Sequence, residues 1–129
     1  MNYLRYFQLD EFDSPDVVGS GKNMDFCFVQ LLDNARHIAG TPFRISKGGG
    51  FRTEEYNAEL VKRNPKAVRN SSHCKGLAAD ILTPDSRTRH MVLMSLIKVG
   101  FNRIGVAKNF IHVDDDESKA PDVCWVYTV

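Results

Sequence analysis

The chain has 129 residues, 43% hydrophobic and 26% charged, which suits one soluble domain burying its own core and excludes a disordered or low-complexity chain. Seventeen Lys and Arg against sixteen Asp and Glu leave a formal net charge of +1, so there is no electrostatic case for nucleic acid or an anionic membrane surface. No apolar run is long enough for a bilayer, and Met1 to Tyr6 lacks the charged start and apolar core of a signal peptide, so a protein made in a cytoplasm is expected.

Residues 1–22 mix aromatic anchors (Tyr3, Tyr6, Phe7, Phe12) with Asp-Ser-Pro and Gly-Ser-Gly turns, and read as an irregular segment laid on the core. Asn23 is the expected N-cap of a helix over about 24–37, closed by Gly40. Phe28, Leu31, Leu32, Ala35 and Ile38 recur at spacings of three and four and form its inward face, and Cys27 is expected in the core. His37 suits the negative end of that helix dipole. A strand is expected over 42–46, then a flexible turn at Lys47-Gly48-Gly49-Gly50 that delivers Arg52 and lacks the frame of a phosphate loop. Thr53 caps a short helix through Lys62, with Glu54 and Glu55 in its first turn, and a polar loop follows around Pro65.

Leu77 to Leu82 predicts a short apolar strand interrupted by Asp80, and a helix follows over about 86–99. Val92, Leu93, Leu96 and Ile97 are its expected buried side, with Thr88, Ser95 and Lys98 outward, His90 solvated and Gly100 as the stop. Two strands, 101–106 and 110–114, join at Ala107-Lys108-Asn109. Alternation puts Phe110, His112 and Asp114 on one side of the second. Asp115, Asp116 and Glu117 begin a solvated acidic loop, and 123–127 closes the chain as an edge strand. Helices and antiparallel strands without βαβ spacing predict an α+β domain over residues 1–129, with no repeats or linker.

The chemistry concentrates in Ser71-Ser72-His73-Cys74-Lys75-Gly76-Leu77-Ala78-Ala79-Asp80 and in Phe110-Ile111-His112-Val113-Asp114. A carboxylate inside an apolar strand is costly unless paired or metal-bound, so Asp80 needs a partner. Two imidazoles and one carboxylate make a catalytic zinc set with the fourth position open, and the same set also suits iron. Three cysteines with no CxxC spacing argue against a disulfide framework or a zinc finger. Cys74 is expected to point away from the metal that His73 would hold.

Ser71-x-His73-x-x-Gly76-x-Ala78-x-Asp80 resembles, position for position, the SxHxxGxAxD signature of the zinc D-Ala-D-Ala carboxypeptidase family, which includes D-Ala-D-Ala dipeptidases and phage endolysins. Gly50-Phe51-Arg52-Thr53-Glu54-Glu55-Tyr56-Asn57 is similar to its GYRTxEYN segment, the His112 segment to its last metal segment, and Tyr6 to Phe12 to the start of short phage members. The resemblance implies a hedgehog/DD-peptidase-like fold, a small antiparallel sheet with flanking helices, holding one zinc ion on His73, Asp80 and His112. It implies a monomer that hydrolyses peptidoglycan stem peptides, first of all as a D-Ala-D-Ala carboxypeptidase, reaching the wall after release or from a virion. An L-Ala-D-Glu endopeptidase, a D-Ala-D-Ala dipeptidase and a non-catalytic zinc-bearing peptidoglycan-binding module stay open beside it. Arg52 would pair with a substrate carboxylate or carbonyl, and Ser71 would bond the substrate or a loop next to the zinc, with a turn-capping hydroxyl as its alternative. From its shared face with His112, Asp114 is the candidate general base or else a solvated or supporting carboxylate behind the ligand, with Asp115 and Glu117 as backup bases. Asn109 and Phe110 stand where family members carry an acidic residue or a histidine.

Overall fold

A computed structural model describes residues 3–64 and 70–128, so most of the loop expected around Pro65 lies outside the described residues. The first helix, α1 (Phe26–Ala39), starts two residues later than the asparagine suggested. Asp25 is the N-cap, its carboxylate accepting the Phe28 N–H at 2.9 Å, and Gly40 closes the helix in the left-handed region. Phe28, Val29, Leu32, Ala35 and Ala39 are buried, whereas Ile38 and Cys27 are exposed. Cys27 precedes Phe28 by one position, about 100° round the helix, and so falls outside the apolar stripe.

The inner face of α1 also carries Asp33, which is buried. Its carboxylate accepts the backbone N–H groups of Arg5, Tyr6 and Phe7 at 2.9, 3.0 and 3.2 Å. Three otherwise unpaired donors are thereby satisfied, and Phe7 and Phe12 go into the core. The N-terminal segment is therefore bonded into the domain and includes two short 3-10 turns, Leu9–Phe12 and Ser20–Asn23.

Helix α2 (Glu54–Arg63) is capped by Thr53, whose hydroxyl accepts the Tyr56 N–H at 3.0 Å. Helix α3 (Ser86–Lys98) is capped in the same way by Asp85. Its buried side is Val92, Ser95 and Leu96, while Ile97 is exposed, the reverse of the expected places of Ser95 and Ile97. The Ser95 hydroxyl donates to the Val92 carbonyl at 2.9 Å, so this small polar side chain enters the core without an unpaired proton.

The sheet holds β1 (Ala78–Leu82), β2 (Arg103–Val106), β3 (Phe110–Asp114) and β4 (Val123–Val126) in the order β1-β3-β2-β4. β1 and β2 both run antiparallel to β3, but β4 runs parallel to β2, so the sheet is mixed rather than antiparallel. Residues 42–46 form no full strand. They make a single bridge, Ile45 to Ile81, with backbone bonds from Leu82 to Arg44 and from Ser46 to Asp80 that cover the outer edge of β1.

Alternation divides the sheet into two faces. Ala79, Ile81, Ile104, Ile111 and Val113 join Phe28, Leu32, Val92 and Leu96 in the core, each buried Val, Leu, Ile or Phe contributing roughly 1.5–3 kcal/mol. The opposite face carries Asp80, His112 and Asp114. The result is an α+β domain of three helices and a small mixed sheet. Among the described residues, no helix is long and apolar enough to cross a membrane.

Candidate metal centre

His73 sits in a 3-10 turn, Ser72–Lys75, built by its own neighbours. The Ser71 hydroxyl accepts the His73 N–H at 3.2 Å at the start, and Gly76 ends the turn at φ 71°. A Cβ on Gly76 would stand 2.5 Å from the Asn23 carbonyl oxygen, while the Gly76 carbonyl accepts the Asp25 N–H at 2.9 Å. The turn is thus set directly on the start of α1, in a conformation that favours glycine.

Asp116 clamps the same turn from the other side. It is buried, not solvated as expected of the acidic loop, because it accepts from the Ser72 hydroxyl at 2.7 Å and from Lys75 Nζ at 3.0 Å. Burial works against its charge, but bonds from Ser118, Ser72 and Lys75 outweigh it and hold Asp116 well below the usual carboxylate range.

The glycine turn is buried at Gly48, Gly49 and Gly50, so it is part of the scaffold and not a flexible connection. The Gly49 carbonyl accepts the Asp80 N–H at 2.7 Å, and the Gly50 carbonyl lies 2.9 Å from His73 Nδ1. A proton on Nδ1 leaves Nε2 free to face Asp80, whose Oδ1 is 3.5 Å away. Asp80 is directly opposite His112 across β1 and β3, and His112 Nδ1 is 2.9 Å from the same Oδ1.

Around these three, charge is balanced closely. Burial holds His73 below the usual histidine value, with Asp80 offsetting only part of that. Burial also opposes a charge on His112, but hydrogen bonds with Asp114 and Asp80 win and hold it above. Burial would raise Asp80, yet His73 and His112 keep it well below the usual carboxylate range.

One donor atom from each of His73, Asp80 and His112 falls within 4.8 Å of the others, and all three residues are buried. Ligands about 2.0–2.1 Å from a tetrahedral ion stand about 3.3 Å apart. The observed 3.5 and 2.9 Å separations bracket that spacing, so the residues present fit a metal ion.

The other residues expected at the site are placed as follows. Arg52 reaches it: Nε donates to the Gly48 carbonyl at 2.7 Å and Nη2 lies 3.5 Å from Asp80 Oδ2. Ser71 is buried and caps the His73 turn. Asp114 is buried beside His112, with Oδ2 2.7 Å from His112 Nε2 and Oδ1 accepting from Arg103 Nε at 2.7 Å and from the Asp116 N–H at 3.2 Å. Asp115 and Glu117 are exposed. Asn109 is in the turn at the far end of the sheet, beside a cavity of about 400 Å³ that includes Thr41, Arg44, Leu82 and Thr88. Cys74 turns its sulfur toward the Thr53 carbonyl, and burial pushes its thiol up to about 11, so it rests protonated. The reason is local: a 3-10 turn rotates about 120° per residue, which separates it from His73.

Three further features at the site went unnoticed in the sequence. Arg103 fixes Asp114, Asp116 fixes the His73 turn, and Trp125 brings its ring to 5.6 Å from the His112 ring. The period-2 pattern of β2 would have placed Arg103 on the front face, but nothing in the sequence tells that β4 joins beside β2.

No protein-family model matches the chain, and no curated protein does. Among solved structures, the chain is similar to the crystal structure of the Serratia marcescens L-Ala D-Glu endopeptidase ChiX. The likeness has 16% sequence identity and a TM-score of 0.54, covering 72% of this chain and 80% of that one. That similarity is one of fold.

Proposed function

We propose that this protein is a zinc peptidase that cuts peptidoglycan stem peptides, with His73 Nε2, Asp80 and His112 Nδ1 as the metal ligands. The observation that carries this reading is the buried His73–Asp80–His112 cluster with Arg52 beside it. Zinc held there would polarise the scissile carbonyl and lower the pKa of a water to about 7, which reduces the need for a separate strong base.

The side chains then divide the remaining work. Arg52, aimed by the Gly48 carbonyl, offers its guanidinium edge to a substrate carboxylate, where a planar fork suits two oxygens. Asp114 accepts the His112 Nε2 proton and so leaves Nδ1 for the metal, the usual arrangement of a carboxylate behind a ligating histidine. With both oxygens engaged, Asp114 acts here by fixing His112, the second of the two roles that the sequence left open for it. Ser71 contributes by holding the turn that presents His73.

Two bonds in stem peptides leave a free carboxylate on the residue just past the cut: D-Ala-D-Ala at the terminus, and L-Ala-D-Glu, where glutamate continues through its side chain. Arg52 suits either. The fold likeness to an L-Ala D-Glu endopeptidase favours the second bond over the carboxypeptidase reading that the sequence put first. The test is incubation of the zinc-loaded protein with purified stem peptides and mass analysis of the products. Cleavage after L-alanine is expected, release of terminal D-alanine would return the carboxypeptidase, and intact peptides with zinc bound would overturn the peptidase.

A further inference from the structure

Asp80, His112, Gly105 and Trp125 form one row across the four strands: Asp80 pairs with His112, His112 with Gly105, and Gly105 with Trp125. Arg52 lies past Asp80 at one end, and aromatic side chains fill the other. Trp125 lies 5.6 Å from His112 and 6.3 Å from Tyr127, and Tyr127 lies 5.5 Å from Phe110. Arg103 covers the indole at 5.2 Å while holding Asp114. Tyr127 is 40% exposed and Trp125 is half-buried, so this wall is open to a ligand.

Gly105 is what lets the wall exist. A Cβ there would overlap Trp125 Nε1 and stand 2.8 Å from Tyr127 Cε2. The two rings lie across that bare backbone toward the metal cluster, a close approach that any other residue would block.

We infer that Trp125 and Tyr127 form the subsite for the acyl side of the cleaved bond, and that its occupant is the uncharged N-acetylmuramyl sugar attached to L-alanine. The inference rests on the peptidase reading above. With the carboxylate end of the substrate at Arg52, the acyl side runs toward β4. That strand lies two steps from β3, about 10 Å away, and its indole reaches back to 5.6 Å from His112. One alanine residue spans only about 3.5 Å, so the wall meets the unit beyond it. In a substrate cut after L-alanine that unit is a sugar, whose flat, uncharged face suits an aromatic platform. In D-Ala-D-Ala it is a diamino acid, whose ammonium would have to share the indole with the Arg103 guanidinium already stacked on it.

The experiment uses N-acetylmuramyl-L-alanine, the acyl-side product, which has no bond left to cut. Trp125 is the chain's single tryptophan, so its fluorescence in the zinc-loaded protein reports the binding. The muramyl compound should bind about tenfold or more tighter than N-acetyl-L-alanine. Tyr127→Leu, read by fluorescence, and Trp125→Leu, read by calorimetry, should each erase that preference while zinc affinity stays as in the parent. Equal binding of the two compounds overturns the inference, as does a preference that survives in a folded Tyr127→Leu protein. Muramyl binding without cleavage of stem peptides would leave the wall in place and remove the peptidase. Cleavage without muramyl preference would do the opposite.

Discussion

Asp80 and His112 face each other as an in-register pair across β1 and β3, with Oδ1 and Nδ1 2.9 Å apart. At that distance a proton on Nδ1 is donated to the Asp80 carboxylate whenever His112 is charged. Asp114 and Asp80 raise His112 above its ordinary value against the effect of burial, whereas burial keeps His73 neutral. A metal ion must displace that proton to reach Nδ1. Zinc affinity should therefore rise with pH until His112 has passed its raised pKa, with about one proton released per ion wherever His112 is still charged. Calorimetry in buffers of different ionisation enthalpy reads that proton directly. Release of none would mean that His112 is already neutral in the apoprotein.

Asp114 separates two roles that a sequence cannot. If it fixes His112 as its hydrogen bonds indicate, Asp114→Asn should weaken zinc binding by about 10–100-fold, because the acceptors facing Nε2 and Arg103 lose their negative charge. A competition assay with a chromogenic chelator measures this. Unchanged zinc affinity with turnover abolished would return Asp114 to the part of general base.

The grouping of His73, Asp80 and His112 was legible from the resemblance carried by Ser71-x-His73-x-x-Gly76-x-Ala78-x-Asp80, with two simple rules beside it that bear on Asp80 and His112. Alternation puts His112 and Asp114 on one side of β3, and an isolated carboxylate in the apolar stretch 77–82 asks for a partner. The aromatic wall was not legible, because it depends on β4 returning parallel to β2 after the loop at 115–122, a pairing that strand propensity does not encode. Local competition explains the smaller differences. Asp25 takes the α1 cap from Asn23 because its carboxylate reaches the Phe28 N–H. Ser95 enters the core in place of Ile97 because its hydroxyl is satisfied inside the helix.

Asp116 should matter for stability as well as for the site. Burial opposes its charge, but Ser118, Ser72 and Lys75 hold its pKa below the unfolded value. A depressed carboxylate contributes its stability above about pH 3.9 and loses it as pH falls through the folded value. Asp116→Asn should cost about 1–3 kcal/mol at neutral pH, a fall in Tm of about 4 °C for each kcal/mol. The deficit should shrink on acidification, as the parent itself loses the charge. Thermal melts of both apoproteins between neutral and acid pH test this, and a deficit independent of pH would remove the charge from the explanation.

Arg52 should separate substrate handling from metal binding. Its Nε is held by the Gly48 carbonyl and its Nη2 stands 3.5 Å from Asp80, so the fork is fixed before substrate arrives. Lysine keeps the charge but loses the planar pair of donors. Arg52→Lys should lower kcat/KM on stem peptides by about 100-fold, roughly 2.7 kcal/mol of transition-state stabilisation. Zinc affinity should move by only about twofold, because the positive charge near Asp80 persists. Amidation of the substrate carboxylate supplies the complementary test: the parent should lose about as much on the amidated peptide as the variant loses on the acid. A parent protein indifferent to amidation would mean that Arg52 meets some other group, and the direction assigned to the substrate along the row from Asp80 to Trp125 would have to be reversed.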